Sequence, residues 1–181
     1  MSELNSLYIS IQISKRELSH FFSLPPKEWQ LDSSWLNWWK SREINGNPPL
    51  KALPFYATTT ARSVFESFLR DKRLVASEHY DEQSEVWTFL SVFFSENYFE
   101  ILPLLSLLKP LAAFQAPGQR GAVIIYDYYW GSHQIMAFMD FKDQIAVLEN
   151  YKSTIEIPKS TLQQAAKDLE ATLDSLANKN A

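Results

Sequence analysis

The sequence contains no cysteine, only 4 glycines and only 3 histidines among its 181 residues. Without cysteine, disulfides, thiolate nucleophiles and Cys-ligated zinc or iron–sulfur centres are excluded. No P-loop, Gly-x-Gly-x-x-Gly or Gly-x-Ser-x-Gly pattern occurs. His20, His79 and His133 lack the i, i+4 or i, i+2 spacing of paired metal ligands. We therefore predict no metal site, no cofactor and no catalytic residues.

Long hydrophobic runs are also missing. The most apolar stretch, residues 101–114, is interrupted by Pro103, Lys109 and Pro110 and is too short to cross a bilayer. The first residues lack the basic and apolar regions of a signal peptide. The absence of cysteine is compatible with the cytosol. We expect a soluble, cytoplasmic protein with no membrane partner.

Apolar residues are nevertheless abundant, because 46% of the chain is hydrophobic and 14% is aromatic. This is enough material for the core of one domain covering residues 1–181. Residues 1–72 are predicted to be mainly helical after a first strand, and residues 73–181 to follow a ββα-βββα order. The predicted fold class is α+β, with an antiparallel sheet of about five or six strands and helices packed mainly on one side.

Apolar alternation and turn residues predict the strands. The predicted strands are Tyr8–Ile13, Arg73–Tyr80, Val86–Phe94, Ala122–Tyr129, Ser132–Phe141 and Ile145–Ile157. The last of these is expected to contain an interruption. The second and third form a hairpin with an acidic tip at residues 81–84. Two-residue turns at Trp130-Gly131 and Lys142-Asp143 predict that the last three form a meander.

N-cap residues mark the predicted helix starts. The candidates are Ser14, Asp32 or Ser33, Thr58 to Thr60, Ser95 and Ser160. The third helix is predicted to turn Val64, Phe65, Phe68 and Leu69 inward. The last helix carries one apolar stripe, formed by Leu162, Ala166, Leu169, Leu173 and Leu176. Packing of this stripe on the sheet is favoured over a coiled-coil dimer seam because the stripe is short.

Four tryptophans, Trp29, Trp35, Trp38 and Trp39, form a second aromatic group. The last three have helical i, i+3, i+4 spacing and would share one face. A buried core is the favoured interpretation. An exposed anchor or the lining of a ligand groove is the alternative.

The net charge of −4 is unevenly distributed. Residues 1–73 hold 10 Lys/Arg and 7 Asp/Glu, a net +3, whereas residues 74–181 hold 7 and 14, a net −7. No Lys or Arg occurs in residues 74–108, and the field of such an uncompensated acidic stretch would repel nucleic acid and attract a basic partner. The residues assigned to this field are Glu78, Asp81, Glu82 and Glu85. On charge alone, a solvated acidic face that keeps the protein soluble is the favoured interpretation, and the field for a basic partner is the alternative.

The predicted meander gathers aromatic and hydrogen-bonding residues at one end. These are Asp127, Tyr128, Tyr129, Trp130, His133, Gln134, Asn150 and Tyr151. The group is interpreted as a sheet end capped by amphipathic aromatics, as a protein-binding hot spot, or as a polar pocket with Asp127 and His133 as an acid–base pair. The last is weakened because alternation puts Asp127 and His133 on opposite faces.

In size, acidity and lack of active-site motifs, the chain resembles bacterial toxin-immunity proteins, which are small cytosolic α+β proteins. The resemblance implies a stoichiometric, non-enzymatic inhibitor that occludes a basic toxin or effector, such as a nuclease. Tyr128, Trp130 and Tyr151 would serve as its anchors, and the protein would be a monomer or a weak dimer. Two alternatives stay open: an adaptor or chaperone for a secreted or phage protein, and a small-molecule-binding domain or enzyme with a pocket near His133.

Overall fold

The computed structural model describes residues 4–27, 31–42, 49–50 and 55–179. Within them, one antiparallel sheet has six strands, in the order β2-β3-β1-β4-β5-β6. The strands are β1 Asn5–Gln12, β2 Ala76–Asp81, β3 Val86–Ser95, β4 Gly121–Tyr126, β5 Ile135–Lys142 and β6 Ile145–Glu149. This sheet confirms the predicted α+β class. Trp29, one of the four tryptophans singled out above, lies outside the described residues.

The first strand occupies the middle of the sheet, between β3 and β4. Ile9 is opposite Phe89 on one side and Val123 on the other. Both faces of β1 are buried, with Ile9 and Ile11 in one core and Tyr8 in the other. A Cβ added to Gly121 would lie 2.9 Å from the Ile11 Cα, so only glycine permits this approach of β4 to β1.

Five helices complete the described fold: α1 Lys15–Ser23, α2 Ser33–Ser41, α3 Ala61–Arg70, α4 Tyr98–Leu108 and α5 Lys159–Lys179. The predicted caps Ser14, Asp32 and Thr60 are confirmed, because each side chain accepts a first-turn N–H. The predicted cap Ser95 is wrong. Ser95 is the last residue of β3, and Asn97 caps α4 instead. The last helix begins at Lys159, one residue before the predicted cap Ser160.

Two layers of helix cover the sheet. Residues of α1 to α4 pack in a core against one face, and α5 packs against the other. Trp35, Trp38 and Trp39 are buried, which confirms the core interpretation for these three. Leu69 is 37% exposed, so its predicted inward position is wrong. None of the helices described is long and apolar enough to span a membrane.

Helix α5 packs on the sheet as predicted, although its most buried residues are Ala165 and Leu169 rather than the whole predicted stripe. The Tyr8 hydroxyl of β1 donates to the Asp168 carboxylate of α5 over 2.7 Å. Burial, reinforced by this hydrogen bond to a carboxylate, raises the pKa of the Tyr8 phenol. This contact ties the last helix to the central strand.

Four predicted strands are too long. The strand predicted from Arg73 starts at Ala76, because residues 72–74 form a 3₁₀ turn and Val75 has a left-handed backbone. The meander strands stop at Tyr126 and resume at Ile135, and the last ends at Glu149 before a 3₁₀ turn at 154–156. In each case side-chain caps stabilise a turn at residues that alternation assigned to a strand.

The predicted register of the meander is partly confirmed. The Asp127 N–H donates to the Gln134 carbonyl over 3.1 Å, as the predicted pairing requires. A bulge then shifts the remaining pairs of β4 and β5 by one residue. The second turn lies at Asp143-Gln144, where both residues have positive φ, and the predicted turn at Lys142-Asp143 is wrong by one residue. The pairing beyond it shifts accordingly, and Gln134 bridges Ser153.

Candidate protein-binding surface

The acidic and aromatic groups that the sequence suggested lie at opposite ends of the sheet. The acidic hairpin tip, residues 78–85, precedes β3 and lies beside the end of β1, where Val86 is opposite Gln12. The aromatic turn, residues 127–133, lies beyond Tyr126, which adjoins the start of β1 at Ser6. At about 3.3 Å per residue, the ten residues of β3 separate the two ends by about 30 Å. The two groups therefore form separate surfaces.

Most of the acidic hairpin tip is already partnered within the fold. Arg62 donates to both oxygens of Glu78, over 2.7 Å each, and the Trp87 indole N–H donates to Glu78 over 2.9 Å. Lys15 forms an ion pair with Glu82. Basic side chains from the first 73 positions thus pair with an acidic stretch that contains no Lys or Arg.

Asp81 has a structural role in the same hairpin. Its carboxylate accepts the Gln83 N–H over 2.8 Å and the Ser84 N–H over 3.4 Å. These hydrogen bonds lower the pKa of Asp81. Glu85, which has a φ of 53°, is exposed and forms no ion pair with any described residue. Of the four predicted steering residues, Glu85 therefore keeps its charge most available.

Asp127 organises the aromatic turn from within. Its carboxylate accepts the Trp130 N–H over 2.8 Å and the Ser132 N–H over 2.9 Å. Burial alone would favour the neutral carboxyl, but the hydrogen bonds from Ser132, Trp130 and Gly131 outweigh it and lower the pKa of Asp127. Gly131, with a φ of 75°, provides the left-handed residue that the turn needs. Asp127 is a buried cap of the turn.

The turn presents two aromatic side chains to solvent. Tyr129 is 50% exposed and Trp130 is 48% exposed, and their ring centroids lie 5.1 Å apart, edge to face. Tyr129 also packs edge to face on Phe93 of β3, with ring centroids 5.2 Å apart. Tyr128 is half-buried against Tyr126. The exposed rings are therefore braced by the capped turn and by the end of β3.

His133 and Tyr151, also predicted for this cluster, have partners elsewhere. His133 has a φ of 62°, and its Nδ1 lies 3.2 Å from the Thr154 hydroxyl. Tyr151 stacks on Phe138 of β5, with ring centroids 5.2 Å apart. Because Asp127 bonds to backbone N–H groups and His133 to Thr154, the geometry offers no support for an Asp127–His133 acid–base pair. Among the described residues, no group of three His, Asp or Glu side chains could hold a metal ion.

A groove next to the aromatic turn was not predicted from the sequence. Its volume is about 680 Å³, within the range of sites that take a small molecule or a side chain. Six aromatic residues from four parts of the chain contribute to its walls: Phe55, Tyr56, Phe68, Phe93, Phe94 and Phe99. Phe93 joins the groove to Tyr129, so groove and turn form one continuous aromatic surface. The only local signal was the Phe93-Phe94 pair, which breaks strand alternation and places large rings on both faces.

Acidic side chains surround this aromatic surface. Glu100 lines the groove, and Glu96 follows the last residue of β3. Burial, followed by the negative charges of Glu170 and Asp174 on α5, raises the pKa of Tyr128. None of these four carboxylates forms an ion pair with another described residue. At the hairpin tip, by contrast, two of the four acidic residues, Glu78 and Glu82, form ion pairs.

Comparison of the chain with protein families, with curated proteins and with solved structures finds no significant match.

Proposed function

We propose that the protein is a non-enzymatic, protein-binding protein whose partner is basic. Within this class, we propose a bacterial immunity protein that neutralises a toxin or effector as a stoichiometric inhibitor in the cytoplasm. The observation that most directly supports this proposal is the pair of half-exposed rings, Tyr129 and Trp130, on a turn that Asp127 caps. Exposed Trp and Tyr held in place bury a large area at little entropic cost, as binding hot spots do.

The charge pattern supports a basic partner at the same place. Glu96, Glu100, Glu170 and Asp174 lie around the aromatic end without ion-pair partners among the described residues. Such a rim would speed the approach of a basic protein, and the aromatic anchors would slow its release. The predicted steering role therefore suits these residues better than Glu78 and Glu82, whose charges Arg62 and Lys15 already balance.

Capture of the partner from the native organism tests this proposal. The tagged protein should retain one basic protein at 1:1 stoichiometry, and the purified partner should be toxic and lose its activity in the complex. Trp130→Ala should weaken the complex by about 2 kcal/mol or more, as hot-spot truncations do. The matched control is Leu36→Ala, which removes a side chain 47% exposed on α2. A partner that binds Trp130→Ala as tightly as the natural chain would contradict the assignment of the anchor.

The groove also supports a second candidate, an adaptor or chaperone that holds an extended segment of a secreted or phage protein. Its volume of about 680 Å³ next to exposed aromatics suits such a segment. A short peptide from the partner that displaces the intact partner, without any toxic activity to inhibit, would favour the adaptor over the immunity protein.

A further inference from the structure

The groove has walls that are already formed. Phe68 of α3 packs edge to face against Tyr56 and Phe94, with ring centroids 6.4 Å and 5.7 Å apart. Phe99 remains 53% exposed at the groove, and Phe55 is 40% exposed. Aromatic rings that are preorganised and accessible offer π-faces to a cation at little further cost in entropy.

In the part of the chain that the structure describes, one carboxylate without an ion-pair partner accompanies these rings. Arg73 also lines the groove, but its guanidinium donates to both oxygens of Asp71, over 3.0 Å and 2.7 Å, so that pair cancels. Among the described residues of the lining, Glu100 is left as the net charge. The Ser95 hydroxyl donates to one oxygen of Glu100 over 2.5 Å and fixes its position. Glu100 and Tyr56 both line the groove, and burial, followed by the charge of Glu100, raises the pKa of the Tyr56 phenol.

We propose that the groove receives an arginine or lysine side chain of the basic partner protein. The aromatic walls contact the aliphatic stem and the cationic head, and Glu100 forms the ion pair. Arginine suits the groove better than lysine, because its planar guanidinium stacks on rings and is more weakly hydrated. This inference rests on the proposed function only for the source of the side chain, since the groove's chemistry is independent of it.

Two short peptides test the chemistry without the natural partner. The probes are N-acetyl-Gly-Arg-Gly-amide and the same peptide with citrulline, a neutral isostere of arginine. Titration into the isotopically labelled protein, followed by NMR, should move the amide signals of Leu74, Phe94 and Glu100 with the arginine peptide. Cation–π and ionic contributions of about 1–2 kcal/mol predict that citrulline binds roughly tenfold more weakly.

Variants of the protein separate the two contributions. Glu100→Gln keeps an oxygen for Ser95 but removes the charge, and Phe99→Ala removes an exposed ring. Each should weaken the arginine peptide at least fivefold, whereas Glu85→Gln at the far end of the sheet should change nothing. Equal binding of the citrulline peptide, signal changes confined to the hairpin tip, or no signal change at millimolar peptide would each overturn the proposal.

The captured partner supplies an independent test. If it binds Phe99→Ala and Glu100→Gln as tightly as the natural chain, the groove inference fails while the proposed function stands. If the arginine peptide binds the groove but no basic partner is captured, the proposed function fails while the cation site stands.

Discussion

Asp127 is the residue on which the aromatic turn depends most. Asp127→Ala leaves the Trp130 and Ser132 N–H groups without their acceptor in a partly buried setting. Loss of such hydrogen bonds costs about 1–3 kcal/mol, and we expect this decrease in the free energy of unfolding. Urea unfolding at pH 7 measures it. Hydrogen exchange at residues 128–133 should accelerate more than at β1, since the local turn loosens first.

Asp127→Asn is the matched control, because it retains one acceptor oxygen and should lose about half as much stability. The pKa of Asp127 is lower in the folded protein than its ordinary value of about 3.9. Its stabilising contribution is therefore present above that ordinary value and is lost as the pH falls through the lower folded-state pKa. The stability difference between the natural chain and Asp127→Asn should shrink below about pH 4. A difference that stays constant down to pH 2 would contradict the role assigned to the ionised carboxylate.

The same residue shows what the sequence could reveal at this scale. Asp127 follows six residues of β4, and alternation extends naturally through Tyr129, so the sequence favoured a strand. The competing cap by the Asp127 carboxylate requires that the N–H groups of residues 130 and 132 converge on it. Such a convergence leaves no periodic pattern in the sequence. Aromatic exposure was foreseeable at Tyr129 and Trp130, whereas the burial of Asp127 was not.

At the scale of elements, Arg42 links the end of helix α2 to the meander, at the start of β5 and just after β6. Its guanidinium donates to the Ile135 carbonyl over 3.1 Å and to the Tyr151 carbonyl over 2.7 Å. A lysine ammonium has no fork to span both acceptors, so Arg42→Lys should lower the free energy of unfolding by about 1–3 kcal/mol. Thermal and urea unfolding measure the change. Arg70→Lys, at a side chain 72% exposed, is the control and should cost less than about 0.5 kcal/mol. Equal effects of the two substitutions would refute the anchoring role.

Elements with a strong local signal were predictable, and their partners were not. The alternation of β1 and the apolar period of α5 gave both elements correctly, because each buries a face whose residues are near in sequence. The position of β1 between β3 and β4 depends on pairings about 80 and 115 residues away, which local patterns do not encode. Arg42 likewise looked like an ordinary basic residue after three tryptophans, because its acceptors lie more than 90 residues away.

At the scale of the molecule, the sequence located the acidic stretch but not its neutralisation. Glu78 and Glu82 are balanced by Arg62 and Lys15, which belong to the basic first part of the chain. Folding therefore halves the uncompensated charge of the hairpin tip, while the four carboxylates at the aromatic end have no ion-pair partner among the described residues. The groove was equally hidden, since Phe55, Phe68, Phe93 and Phe99 meet only in three dimensions.

This distribution of charge predicts which end of the sheet steers the partner. Glu96→Lys with Glu170→Lys reverses two uncompensated charges at the aromatic end, and should slow association with the captured partner on the order of tenfold at low salt. Glu82→Lys with Glu85→Lys, the matched reversal at the hairpin tip, should slow it far less. Stopped-flow association at low and high salt measures both, with urea unfolding to confirm that each variant folds. Because added salt screens steering, the two variants and the natural chain should converge at high salt. An association rate that does not change with salt would refute steering altogether. A larger effect of the hairpin-tip reversal would place the interface about 30 Å from Trp130, at the other end of the sheet.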